Sequence, residues 1–154
     1  MINNKVLEKI TCILIYTIPW SNSLTFSNYL FNQFPSLKFL IIPAIPILLI
    51  ENIIPFANII IFLLIFSLII RNYNVSYFLK FNALQSILIT ILLFIIGILF
   101  DIVLEPLNNY FILKFFCDFI FIVSLSIISF CMYQSLREKY ADLPFISEAV
   151  KAQL

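Results

Sequence analysis

Four strongly hydrophobic stretches of this chain carry no charged side chain: 39–50, 52–70, 81–100 and 119–136. A helix that crosses a bilayer needs about 20 mostly apolar residues, within a range of roughly 17–25, and the last three stretches reach that length unaided. Composition agrees. Only 11% of residues are charged, against about 25% in soluble domains, and the mean hydropathy is +1.10. The expectation is an all-α integral membrane protein.

The run 39–50 is short and contains Pro43 and Pro46, which remove two backbone donors and kink a helix. Extended to 38–54, it becomes a kinked span that brings Glu51 to the interface. The reading is therefore four transmembrane helices, near 38–54, 55–71, 81–101 and 115–135. Before them, residues 1–37 form an N-terminal unit. Its apolar core, ITCILIYTIPW, is about half a span, is preceded by Lys5, Glu8 and Lys9, and ends at Pro19 and Trp20. This pattern reads as an interfacial helix over 6–20, with a crossing helix as the alternative. A polar-aromatic connector follows it. Residues 137–154 form an amphipathic tail, with Ser147 as a candidate N-cap and Glu148 in the first turn.

Basic residues test this topology. One side of the four-span arrangement holds Lys38, Arg71, Lys80, Arg137, Lys139 and Lys151, whereas the other holds only Lys114 with Glu51, Asp101 and Glu105. Positive charge collects on the side of synthesis, so both termini are placed there. The obvious job of Arg71 and Lys80 is topological, and contact with phosphate headgroups is equally cheap for them.

Several function classes are excluded or weakened. A net charge of +1 provides no field for nucleic acid. The chain has no His, the commonest general base and metal ligand. Cys12, Cys117 and Cys131 have no CxxC spacing, and two of them are about 21 Å apart along one helix, so all three read as apolar packing residues. No catalytic machinery, cofactor or metal site is expected.

Polar residues inside the spans are the informative exceptions. At 100° per residue, Asn82, Ser86, Thr90, Gly97 and Asp101 share one arc of the third span, with Gln85 beside it. Asp118, Ser126, Ser129 and Tyr133 share an arc of the fourth. Such stripes either hydrogen-bond between helices, at about 0.6 kcal/mol each on average, or line a hydrated surface for a partner or substrate. Asp118 lies four residues after Lys114, so the two can snorkel together to the interface, or the carboxylate can face a watery path or partner helix.

The order of motifs resembles the Tic-twenty family, the twenty-kilodalton subunit of the translocon at the inner envelope membrane of chloroplasts, and its plastid-encoded algal members in particular. The matching pieces are IPW, NQFPSL, PAIPIL, IPFANIIIFLLIFSLIIRN, YFLKFNALQSILI and LPFISEAVKAQL. The most distinctive are Arg71-Asn72 before a short loop, Lys80-Phe81-Asn82 with Gln85, and Pro144 with Glu148 in the tail. Lys80 replaces a more usual Arg, and Thr90 replaces a frequent Asp. The resemblance implies a subunit of the plastid inner-envelope import translocon. It would work with other subunits, precursor proteins and membrane lipids in a hetero-oligomeric complex, with both termini in the stroma. A small solute or ion channel unrelated to import is the alternative.

Overall fold

The computed structural model describes residues 2–104, 106 and 109–154, and Glu105 lies outside the described residues. Helices make up the regular structure among them. They are α1 (Ile2–Ser23), α2 (Asn28–Gln33), α3 (Ile45–Ile53), α4 (Ala57–Ile65), α5 (Tyr77–Leu99), α6 (Tyr110–Leu136) and α7 (Ile146–Gln153). A 3-10 stretch, Pro35–Ala44, leads into α3, and wider π turns extend α4 to Ile70 and α5 to Leu104. Three segments are long and apolar enough to cross a membrane: Pro35–Ile53, Tyr77–Leu104 and Tyr110–Leu136. A shorter apolar helix covers Ala57–Ile70.

Local chemistry sets the boundaries. Ser76 caps α5 by accepting from the Leu79 amide at 3.3 Å, and Asn109 caps α6 by accepting from Phe111 at 3.1 Å and Ile112 at 3.4 Å. Pro55 and a left-handed Phe56 (φ 59°) separate α3 from α4. Glu138 (φ 57°) takes the left-handed position after α6 that usually falls to glycine.

The N-terminal segment, expected as an interfacial helix, forms α1, which makes its most extensive contacts with α5 and α6. Cys12, Tyr16 and Ser23, at intervals of four and seven residues, have no exposed surface. This is a helix with one face in a protein core, and its few charges sit at one end. That end is fixed by Glu138, which pairs with Lys9 at 3.0 Å and Lys5 at 3.6 Å. The other end is fixed by Phe26, whose ring stands against Gly97 and meets Phe100 edge-on at 6.1 Å. So α1 runs parallel to α5 and antiparallel to α6, from the basic end of the bundle to the end that holds Asp101.

Pro35–Ile53 lies differently. The indole of Trp20 donates to the Leu40 carbonyl at 2.9 Å, while the Glu51 side chain lies beside Ser21 and Asn58. Eleven residues of helix cover roughly 16–22 Å, yet both ends of this stretch meet adjacent residues of α1. The segment therefore lies across α1 rather than alongside it. From there α4 and its π turn return to the basic end, where Ile70 packs with Phe81, Leu84 and Val150.

The main core gathers Tyr16, Trp20, Phe31, Leu93, Phe121 and Ile128. Phe121 is fully buried and meets Phe31 edge-on at 5.5 Å. Cys12, Cys117 and Cys131 are free and buried in this packing. They should resist maleimide in mild detergent and react once the chain is unfolded in dodecyl sulfate; equal rates in both states would contradict their placement.

Candidate functional site

Asn82, Gln85 and Ser86 stand on the face of α5 turned toward α1, and all three are buried. The Tyr16 hydroxyl lies between two amide oxygens, 3.0 Å from Asn82 Oδ1 and 3.1 Å from Gln85 Oε1, and donates its one proton to either. Ser135 on α6 lies 2.7 Å from Asn82 Oδ1 and 2.9 Å from the Cys131 carbonyl. Asn82 Nδ2 donates to the Phe78 carbonyl at 2.8 Å, and Ser86 Oγ donates to the Ile15 carbonyl at 3.0 Å. Gln85 Nε2 donates to the Ala141 carbonyl at 2.9 Å and lies 3.4 Å from Ser147 Oγ.

The cluster therefore joins α1, α5, α6 and the segment that leads into α7. Every amide atom of Asn82 and Gln85 has a partner, which removes the cost of burying them. In this conformation none of the three side chains is presented to anything outside the chain. Thr90, further along the same stripe, donates to its own helix at Ser86 O, 3.0 Å away. Asp101 is exposed at the end of α5.

The tail docks on its own chain. Val150 is fully buried against Phe81 and Leu84. The ring of Phe81, itself fully buried, meets Tyr140 at 4.9 Å. Ser147, expected as an N-cap, instead sits inside α7. Its hydroxyl donates to the Ala141 carbonyl at 3.0 Å and accepts from the Leu143 amide at 2.7 Å. Pro144 and Glu148 are exposed. Arg71 is exposed and Lys80 half-buried, both near the start of α5.

The polar residues of α6 divide by face. Ser124 and Ser135 turn inward, whereas Ser126, Ser129 and Tyr133 turn outward. Asp118 is half-buried in a shallow groove with Phe111, Lys114, Phe115, Phe119 and Ile122. Its Oδ1 has no hydrogen-bond partner, and Lys114 does not close an ion pair with it: among the described residues the pairs are Lys5 and Lys9 with Glu138, and Lys151 with Asp142. The two expected stripes thus play different parts. The α5 stripe points into the fold at Asn82, Gln85 and Ser86 and is exposed at Asp101, whereas Ser126, Ser129 and Tyr133 of the α6 stripe point away from the fold and Asp118 is half-buried.

The hydrogen bond from Lys9 and the nearby Lys5 hold Glu138 below its ordinary range. Because this pKa is lowered on folding, the pairing contributes at neutral pH and is lost as pH falls through the acid range below the usual Glu value of about 4.3. Glu138→Gln should therefore melt slightly lower than wild type at pH 7, with the difference shrinking as pH is lowered through the acid range. A difference that stays constant as pH falls would contradict the assignment.

Tyr16, Ser135 and the inward role of Ser147 were not singled out by sequence reasoning. The signal for Tyr16 was present: Cys12, Tyr16, Pro19 and Ser23 repeat at helical spacing and mark a buried face.

Comparison with known proteins agrees with the motif order. The family described as "Chloroplast import apparatus Tic20-like" matches residues 7–150. A Tic20 family protein of Synechocystis is 37% identical over 92% of this chain and 89% of its own length. The Arabidopsis thaliana protein TIC 20-II, chloroplastic, is 29% identical over 96% of this chain and 72% of its own length. The Tic20 family protein Ycf60 of Gracilaria tenuistipitata var. liui is 30% identical over 97% and 76%. With a match across nearly its whole length and its polar residues ordered as described, this multi-pass membrane chain belongs to the Tic20 family.

Proposed function

We propose that this chain is a subunit of the protein-import translocon of the plastid inner envelope and contributes to a conducting pathway for precursor proteins. The family match over residues 7–150 carries this reading. The outward polar face of α6 supports it. Asp118 and Ser129 give an apolar helix groups that favour protein or water over lipid, beside Ser126, whose hydroxyl donates to the Ile122 carbonyl of its own helix at 2.8 Å. The buried α5 cluster holds the bundle in shape, and the α6 face meets other subunits and the precursor. Photo-reactive residues at Asp118, Ser126 or Ser129 should cross-link an arrested precursor or a translocon subunit, and a probe at lipid-facing Ile91 should not. Equal labelling from Ile91 would sink the reading.

The same reading includes four crossings, by α1, α4 with its π turn, α5 and α6, with both termini in the stroma. Pro35–Ile53 then enters the bundle from the opposite side without crossing. Connectivity supports this. The chain is at the far end where Tyr29 meets Tyr110 and back at the basic end at Ile70, which requires an odd number of crossings between them. In a cysteine-free background, Asn28→Cys and Tyr73→Cys should react with an impermeant reagent from opposite sides of the envelope. Reaction of both from one side would place α1 in the interface instead.

A further inference from the structure

We propose that a cleft at the basic end of the bundle is a binding site for the anionic headgroup of a membrane lipid. The cleft measures 370 Å3 and is closed by three parts of the chain: the turn after α4, the first turn of α5 and the end of α7. Arg71, Lys80, Tyr73, Tyr77 and Gln153 supply polar atoms to its wall, and Ile70 and Val75 supply apolar surface. This mixture suits a ligand with a charged head and a greasy body.

Charge is what the cleft leaves open. Among the described residues neither Arg71 nor Lys80 has a carboxylate within ion-pairing distance, whereas Lys151, on the same helical tail, is already held by Asp142 at 2.8 Å. Lys80 Nζ instead lies 5.9 Å from the centre of the Tyr73 ring, which fixes the ammonium beside the cleft. Arg71 adds a planar fork that can take two oxygens of one phosphate or sulfonate. Depth also fits. Arg71 follows directly on the apolar helix that ends at Ile70, so the two cations stand where hydrocarbon gives way to headgroups.

The cleft also depends on the docking of the tail, because α7 forms one wall only while Val150 is seated on Phe81 and Leu84. A bound lipid would bridge the α4–α5 turn and the tail, and so hold α7 in place.

The full chain, purified in mild detergent, can be titrated with phosphatidylglycerol, phosphatidylcholine or inorganic phosphate and weighed by native mass spectrometry. One phosphatidylglycerol should bind in preference to phosphatidylcholine. The double variant Arg71→Gln/Lys80→Gln should weaken that binding by roughly thirtyfold. Arg137→Gln/Lys139→Gln removes the same charge from the same end of the bundle and should leave it unchanged. Unaltered binding by the first variant, or equal loss in both, would overturn the site. Displacement by millimolar inorganic phosphate would show a free-anion site and overturn the lipid assignment. An unchanged Trp20 melting curve in both variants confirms that each is folded.

Discussion

Replacing Phe121 by alanine should be the most damaging single change in the bundle, at roughly 3 kcal/mol, the low end of the range for Phe→Ala in a packed core. The ring is fully buried and touches Phe31 from the α2 segment, so its loss opens a void between α6 and the connector that follows α1. Lipid supplies the same apolar medium inside and outside, which removes part of the transfer penalty and leaves the lost packing contacts. Trp20, the chain's single tryptophan, reports on this directly because its indole is held against Leu40 in the same core. Fluorescence during a dodecyl sulfate titration should show an earlier transition for Phe121→Ala than for lipid-facing Phe94→Ala. Coincident transitions would mean that the connector does not depend on this core.

Asn82 and Gln85 should show strong coupling rather than large single effects. In Asn82→Leu, Tyr16 can still donate to Gln85, and Ser135 can still donate to the Cys131 carbonyl. In Gln85→Leu, Tyr16 can still donate to Asn82, and the Ala141 carbonyl keeps Ser147. Each single variant loses hydrogen bonds without stranding a group, at about 0.6–1.7 kcal/mol. The double variant removes both amide acceptors from the buried Tyr16 hydroxyl and leaves only Ser135 and Cys131 beside it, which adds about 1 kcal/mol beyond the sum. A double-mutant cycle read by the same titration should therefore be clearly non-additive. Tyr16→Phe in the double-leucine background should recover part of the loss by removing a buried hydroxyl that has lost both amide acceptors. Additive effects would mean that Tyr16 does not bridge the two amides.

The two long apolar helices α5 and α6 were legible in the sequence because length and absence of charge are decided by the bilayer alone. The stripe at Asn82, Gln85 and Ser86 was legible too, since unpaired amides cannot face hydrocarbon. Its direction was not. Whether a polar stripe meets water or a neighbouring helix depends on what packs against it, and the partners here are Tyr16, Ser135 and Ala141, each more than fifty residues away in sequence. The N-terminal helix was undervalued because Lys5, Glu8 and Lys9 shorten its apolar run. Two of these charges are held by Glu138 at the end of the bundle, and the rest of the helix is buried on one face. For Pro35–Ile53, the apolar length was legible in the sequence, whereas its seating against Trp20 of α1 is set by tertiary contact.

The tail shows the same limit. Its pattern fits an amphipathic helix with Ser147 at the start, and a helix is present. The serine was taken by Ala141 and Gln85 instead, a use that only tertiary contact creates.

The central claim is that the intramembrane amides clamp the fold together and do not line a hydrated route. Ser86→Cys, nearly isosteric, tests it in a chain whose native cysteines are replaced by serine or alanine, with Tyr73→Cys as the exposed control. A small charged thiosulfonate reagent applied to intact membranes, with and without an arrested precursor, should modify position 73 and leave position 86 unreacted in both conditions. Rapid modification at 86, or reactivity that rises while the precursor is held in transit, would show water at that face and contradict the clamp.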